Sequence, residues 1–172
     1  FSFFCNAALS ALPVIGFKPD VVHCHDWQTG LIPVYLKDRF RGGEFFANMK
    51  SVMTIHNLKF QGVWDVKTIQ RFSMLPDYYF TPDKLEAYKD GNMLKGGIVF
   101  ADAITTVSQT YAEEIKMPFY GEGLDGLMRA RSGDLRGIVN GIDYDEFNPE
   151  TDKLIAQPYN AKNFRKEKGK NK

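Results

Sequence analysis

The sequence predicts an α/β fold, a parallel sheet with helices on both faces, and three observations carry that reading. Short apolar runs rich in β-branched residues, at 21–24, 51–55, 103–107 and 135–139, read as strands buried on both sides. They alternate with segments whose apolar residues recur at helical spacing, the pattern of a parallel sheet built from crossover units. Each run then breaks abruptly into polar residues: His25-Asp26, His56-Asn57, Ser108 and Asn140-Gly141. Ligands of open α/β sheets bind just outside the carboxyl ends of the strands, so these breaks are expected to converge on one ligand-binding cleft.

Taken in order, residues 1–17 carry Phe3, Phe4, Ala7, Ala8, Ala11 and Leu12 at helical spacing and predict a helix broken near Pro13 and Gly16. Lys18-Pro19-Asp20 is a turn before the first strand. Residues 28–39 predict a helix, with Pro33 in its first turns where a missing N–H costs little. Arg41-Gly42-Gly43 is a linker, and the second strand ends at His56. Residues 58–91 show no clean period. A stretch of that length is functional or contains short helices. Residues 92–101 predict a helix whose Gly96-Gly97 pair suits close packing against a sheet, since each glycine costs about 1 kcal/mol against alanine in a helix. Helices are expected at 110–116 and 124–131, separated by a glycine-bearing loop at 118–123. After the fourth strand the chain is turn-like to Pro149 and then polar.

Bulk properties narrow the function. The 172 residues suffice for one domain with a core. A net charge of +1 gives no global field toward nucleic acid or a membrane. No apolar run is long enough to span a bilayer. Cys5 and Cys24 form no disulfide framework, and a cytoplasmic setting is expected, or the plastid for a plant source. The chain opens inside a helical pattern and closes on the basic run KEKGKNK, so both ends read as cut from something longer.

His56 has the strongest functional claim, as a histidine at a strand end where a ligand contact is favoured over a core role. Asp26 either accepts hydrogen bonds from sugar hydroxyls or caps the helix that follows. Trp27 either stacks on a sugar or packs in the core. Asn57 either meets the ligand or makes the turn, while Gln61 and Gly62 suit a loop that lets a ligand approach the backbone. Asn140-Gly141 is a strand-end candidate whose simpler reading is a turn. His23 and His25 share a strand face and, with His56, form the one conceivable metal cluster. Neither their spacing nor their flanks match a metal motif, so no metal is expected. Gly121-Glu122-Gly123 is too short for a phosphate loop, and no nucleophile elbow, Walker motif or GxGxxG occurs.

The segments HCHDWQTG (23–30), TIHNLKFQG (54–62), NMLKGGIVFADAITTVSQTYAEEI (92–115), GLDGLMRAR (123–131) and GIVNGIDYDEFNP (137–149) occur in this order. Together they resemble the bacterial glycogen synthase and plant starch synthase family over nearly the whole chain, with small departures such as Gln28 and Gln109. The resemblance implies part of the N-terminal, Rossmann-like half of a GT-B glycosyltransferase, with residues 1–160 in that domain and 161–172 a basic segment leading to the interdomain crossing. It implies transfer of glucose from ADP-glucose to the non-reducing end of an α-1,4-glucan with retention, without cofactor, metal, nucleic acid or membrane partner. His56 resembles the family histidine that contacts the donor glucose, a catalytic position. Asp26 and Asn140 resemble residues of the same substrate pocket, and Trp27 and Asn57 their neighbours. The family's nucleotide-binding lysine-glycine turn precedes residue 1 in this pattern. The arginine, lysine and glutamate of the C-terminal domain follow residue 172. The alternative reading is a catalytically silent carbohydrate-binding module.

Overall fold

The computed structural model describes residues 1–172. Along the chain run α1 (Ser2–Val14), β1 (Val21–His25), a 3-10 turn (Trp27–Thr29), and α2 (Leu31–Tyr35), which continues as a π turn (Leu36–Phe40). Then come β2 (Lys50–Ile55), β3 (Val63–Asp65), α3 (Val66–Ser73), β4 (Glu86–Ala87), β5 (Asp90–Asn92) and α4 (Met93–Phe100). β6 (Ala103–Thr106), α5 (Gln109–Glu114), α6 (Asp125–Ala130), β7 (Leu135–Gly137) and α7 (Phe164–Glu167) complete the order. Two units separate, Phe1–Val139 and Asn140–Lys172.

In the first unit, β1, β2, β6 and β7 lie side by side in that order, and every neighbouring pair is parallel. Successive residues of a strand face opposite ways. The run Met53, Thr54, Ile55 is buried at each position, so both faces of β2 are covered, as the apolar run predicted. β2 and β6 are central, while β1 and β7 form the edges. Close packing explains the paired glycines of α4: a Cβ on Gly97 would stand 2.4 Å from the Met53 Cε and 3.0 Å from the Gly30 Cα, which brings α4 against both β2 and α2.

Three departures from the sequence reading have identifiable causes. α1 buries Cys5 and Leu9, one turn apart, whereas Phe3 and Phe4 are exposed, so the inward stripe is rotated from the expected one. The segment 58–91 holds α3 and a separate antiparallel sheet of order β3-β5-β4. Strands of two or three residues are too short to show a period. The fourth strand ends at Gly137 rather than Val139, and both Ile138 and Val139 are exposed.

The amino ends of β2 and β6 are tied by Asp102. Its Oδ1 accepts from Lys37 Nζ at 2.9 Å, and its Oδ2 accepts from the Ser51 N–H at 2.8 Å and the Ser51 hydroxyl at 3.2 Å. Burial pushes the Asp102 carboxyl up, but the Ser51 N–H and the Lys37 and Lys50 ammoniums outweigh it and hold the group below the usual carboxylate range.

The second unit is a chain of turns followed by α7 and a 3-10 turn (Lys168–Asn171). Asp143, Asn148 and Asp152 each accept from the backbone N–H two residues on. Asn171 and Gln157 close this unit reciprocally through their backbone and amide groups.

Candidate functional site

The carboxyl ends of β1 and β2 lie together because His25 pairs with Thr54 in the parallel register. Asp26, the next residue of the chain, has φ 54, a left-handed backbone that non-glycine residues adopt at a cost of about 1–3 kcal/mol. Two bonds hold it there. Its N–H donates to the Thr54 carbonyl at 2.9 Å, and its Oδ1 accepts the His56 N–H at 2.8 Å. Asp26 therefore brackets β1 to the first residue past β2. The turn that follows it receives no side-chain cap, so the capping role is not the one it plays.

His56 is exposed at this bracket. Its Nε2 lies 3.0 Å from Nδ1 of His25. The His25 ring stacks on His23 with centroids 4.4 Å apart, as expected for two residues on one strand face. His23 Nε2 is bonded to the Thr54 hydroxyl at 2.6 Å, and that hydroxyl to Thr105 at 2.5 Å. The three imidazoles thus form a row and do not surround a point. No group of three or more His, Cys, Asp or Glu is arranged to hold a metal ion. Burial holds His25 below the ordinary histidine range, helped by His23 and His56 and opposed by the Asp26 carboxylate.

The loop after His56 is clamped from several sides. Asn57 makes the turn: its Oδ1 accepts the Lys59 N–H at 3.0 Å. The Leu58 N–H donates to the Tyr111 hydroxyl at 3.0 Å. The carbonyls of Gln61 and Gly62 accept from Leu94 and Met93 at the start of α4. Both ends of the Gln61 amide are occupied as well: Oε1 accepts from Asn92 Nδ2 at 2.6 Å, and Nε2 donates to the Glu122 carbonyl at 2.9 Å. Asn92 is buried, and its Oδ1 also caps α4 by accepting the Lys95 N–H.

Trp27 packs edge-on to Phe1 at 4.9 Å and against Trp64 at 5.4 Å. Gly62 presses on its ring, where a Cβ would come 2.4 Å from Cε3 and where φ is +64. With Leu31, Phe72 and Met93, Trp27 lines an apolar groove of about 420 Å³. Asn140 is exposed and opens the second unit.

Of the residues singled out from sequence, His56, Asp26 and Asn57 meet at one strand-end junction, and Gln61 closes the same loop. His25 was read as a strand-end residue and a conceivable metal ligand but not as a partner of the His56 ring, and Asn92 was missed. His25 was legible from the same register argument: a histidine at the end of one parallel strand faces whatever follows the end of the next. Asn92 carried only the signature of a helix cap.

The family model of the starch synthase catalytic domain matches residues 1–130. The chain belongs to the starch synthase catalytic domain family. All the site residues above except Asn140 fall inside the matched region. The glycogen synthase of Lachnospira eligens is 72% identical over 172 residues, which is 100% of this chain and 36% of that protein. That of Lachnoclostridium phytofermentans is 68% identical over 172 residues, again 36% of its length. The chain therefore spans about a third of the length of these curated relatives. The catalytic domain of starch synthase IV from Arabidopsis thaliana, solved bound to ADP and acarbose, is similar with a TM-score of 0.79 at 34% identity, covering 94% of this chain and 33% of that one.

Proposed function

We propose that these residues are the later part of the N-terminal catalytic domain of a glycogen or starch synthase. Within the longer protein they act in the transfer of glucose from ADP-glucose to the non-reducing end of an α-1,4-glucan, with retention. Residues 1–160 belong to that domain, and 161–172 lead toward the crossing to a C-terminal domain of the same polypeptide. By the same resemblance, the compartment proposed is the cytoplasm, or the plastid for a plant source. No helix is long and apolar enough to cross a membrane.

The observation that carries this reading is the bracket at the strand ends. Asp26 fixes the backbone of His56 and leaves the ring at the surface, in a chain of this family. Retaining glycosyl transfer develops oxocarbenium character, which rewards a sugar ring held in one place. His56 contacts the donor glucose through Nδ1, because Nε2 already faces His25. A hydrogen bond that tightens as the sugar ring flattens lowers the barrier, not merely the ground state. Asp26 contributes to the glucose pocket, and Asn140 is a substrate-binding residue by its family resemblance. Trp27, Asn57 and Gln61 shape its floor through the packing and bonds that hold the 57–62 loop.

The test is incorporation of labelled glucose from ADP-glucose into glycogen. A full-length synthase carrying these residues incorporates label, and the isolated 172-residue chain does not. Departure of a nucleoside diphosphate needs fixed cations, and in this reading the remainder of the longer protein supplies them. Incorporation by the isolated chain above the no-enzyme background would refute that division of labour. A full-length protein that binds glucan yet transfers nothing would favour a silent carbohydrate-binding module.

A further inference from the structure

We propose that His25 is a positioning residue for His56: the one hydrogen between His25 Nδ1 and His56 Nε2 locks both rings into the same tautomer and thereby decides whether His56 presents a donor or an acceptor at Nδ1. This rests on the reading of His56 as the residue that touches the sugar.

A neutral imidazole carries a single N–H, on Nδ1 or on Nε2. Two ring nitrogens 3.0 Å apart share one hydrogen. With the hydrogen on His25 Nδ1, His56 Nε2 is bare, so His56 carries its own on Nδ1. With it on His56 Nε2, His25 Nδ1 is bare and His25 carries its hydrogen on Nε2. In either case the two tautomers are alike. An isolated strand-end histidine is under no such restriction.

The lock is only as firm as His25, and His25 is held from two directions. The Thr29 hydroxyl accepts the His25 N–H at 2.6 Å and lies 2.7 Å from its carbonyl, which ties down the backbone. The ring is stacked on His23, and His23 is anchored through Thr54 to Thr105 on the neighbouring strand. The groups that act electrostatically on the His25 ring are His23 on its own strand, His56 beyond β2 and the Asp26 carboxylate. Burial of His25 and the nearby histidines disfavour its cation. A first proton on the pair leaves an N–H donor between the rings. A second puts two donors face to face and breaks the bond. The matched tautomers belong to the neutral pair, because a protonated ring carries a hydrogen on both nitrogens.

A ring that is already in the right tautomer and orientation loses less freedom when a sugar hydroxyl arrives. His25 thus acts on the reaction through His56 and touches no substrate itself.

The chain contains three histidines, so its ring-nitrogen NMR spectrum contains one set of signals for each. Above the ordinary histidine range, the proposal expects His25 and His56 to show matched tautomer populations. It expects the His56 tautomer population to shift in His25→Ala, where Nε2 loses its partner, and to shift back in part in His25→Asn, whose amide can offer that nitrogen a donor or an acceptor. Unlike tautomers on the two rings, or an unchanged His56 in His25→Ala, would overturn it. In a full-length synthase carrying these residues, kcat should fall roughly tenfold in His25→Ala at nearly constant KM for ADP-glucose and recover in His25→Asn. Adding His25→Ala to His56→Ala should then cost nothing more. Equal losses in the alanine and asparagine variants, or losses that add in the double variant, would also overturn it. Failure of the His56 reading looks different: His56→Ala keeps kcat while the spectrum still shows matched tautomers.

Discussion

The two ends of the parallel sheet are built from the same kinds of residue and treat them in opposite ways. At the amino ends, Asp102 is three-quarters buried and both its oxygens are taken, by Lys37 and by the backbone and hydroxyl of Ser51. At the carboxyl ends, Asp26 sits in a left-handed backbone and spends one oxygen on the His56 N–H, and the histidine it fixes stays exposed. A polar group whose bonding capacity is filled by the protein stabilises the fold. One that is held by its backbone and left open at its tip is poised for something outside.

This contrast can be broken first at the amino ends, where the largest effect on stability is expected. Asp102→Ala leaves the Ser51 N–H and the Lys37 ammonium without their acceptor. It should cost about 3 kcal/mol in denaturant unfolding, with the histidine NMR signals at the other end unmoved. The carboxyl is depressed in the fold, so its contribution is complete above the ordinary carboxylate range and fades as pH falls through its folded value. The variant should accordingly lack part of the acid limb of the stability profile. A shift of the His56 signals in this variant would mean that the two ends are not independent.

A smaller effect is expected at the joint between fold and site. Asn92→Ala removes the cap of α4 and the donor to Gln61, and should cost about 1–2 kcal/mol. Amide exchange should speed up at residues 58–62 and 121–123 before the sheet is affected, because Gln61 links those two loops. Uniform acceleration across the sheet would make Asn92 a plain core residue.

The smallest effect concerns pH at the carboxyl ends. His25 is depressed in the folded chain, so the unfolded chain binds its proton first as pH drops below the ordinary histidine range. Stability should therefore be complete above that range and decline modestly below it. His25→Ala should flatten this decline. A decline that persists unchanged in the variant would assign it to another group.

These comparisons also explain how much was legible in the sequence. The four long-range strands could be read because burial on both faces demands an unbroken apolar run, and Met53 to Ile55 is such a run. His56 and Asp26 could be read because polar residues directly after such a run stand at a strand end. The bond between Asp26 and the His56 N–H could not, since it depends on the register of β1 against β2 and on a positive φ that no local pattern announces. The small sheet of β3, β4 and β5 escaped because its strands are shorter than any period. Gln61 was read as a loop residue open to a ligand; its partners Asn92 and Glu122 are 31 and 61 positions away and are joined to it only by the fold.

The central claim is that His56 serves the reaction and not the fold. The direct measurement is kcat and a thermal melt on the same His56→Ala variant of a full-length synthase carrying these residues. The ring is exposed, so its loss opens no cavity and the melting temperature should hardly move. If the ring stabilises the transition state, kcat should drop by roughly a hundredfold, about 2–4 kcal/mol, with little change in KM for ADP-glucose. A lowered melting temperature with near-normal kcat in the folded fraction would contradict the account.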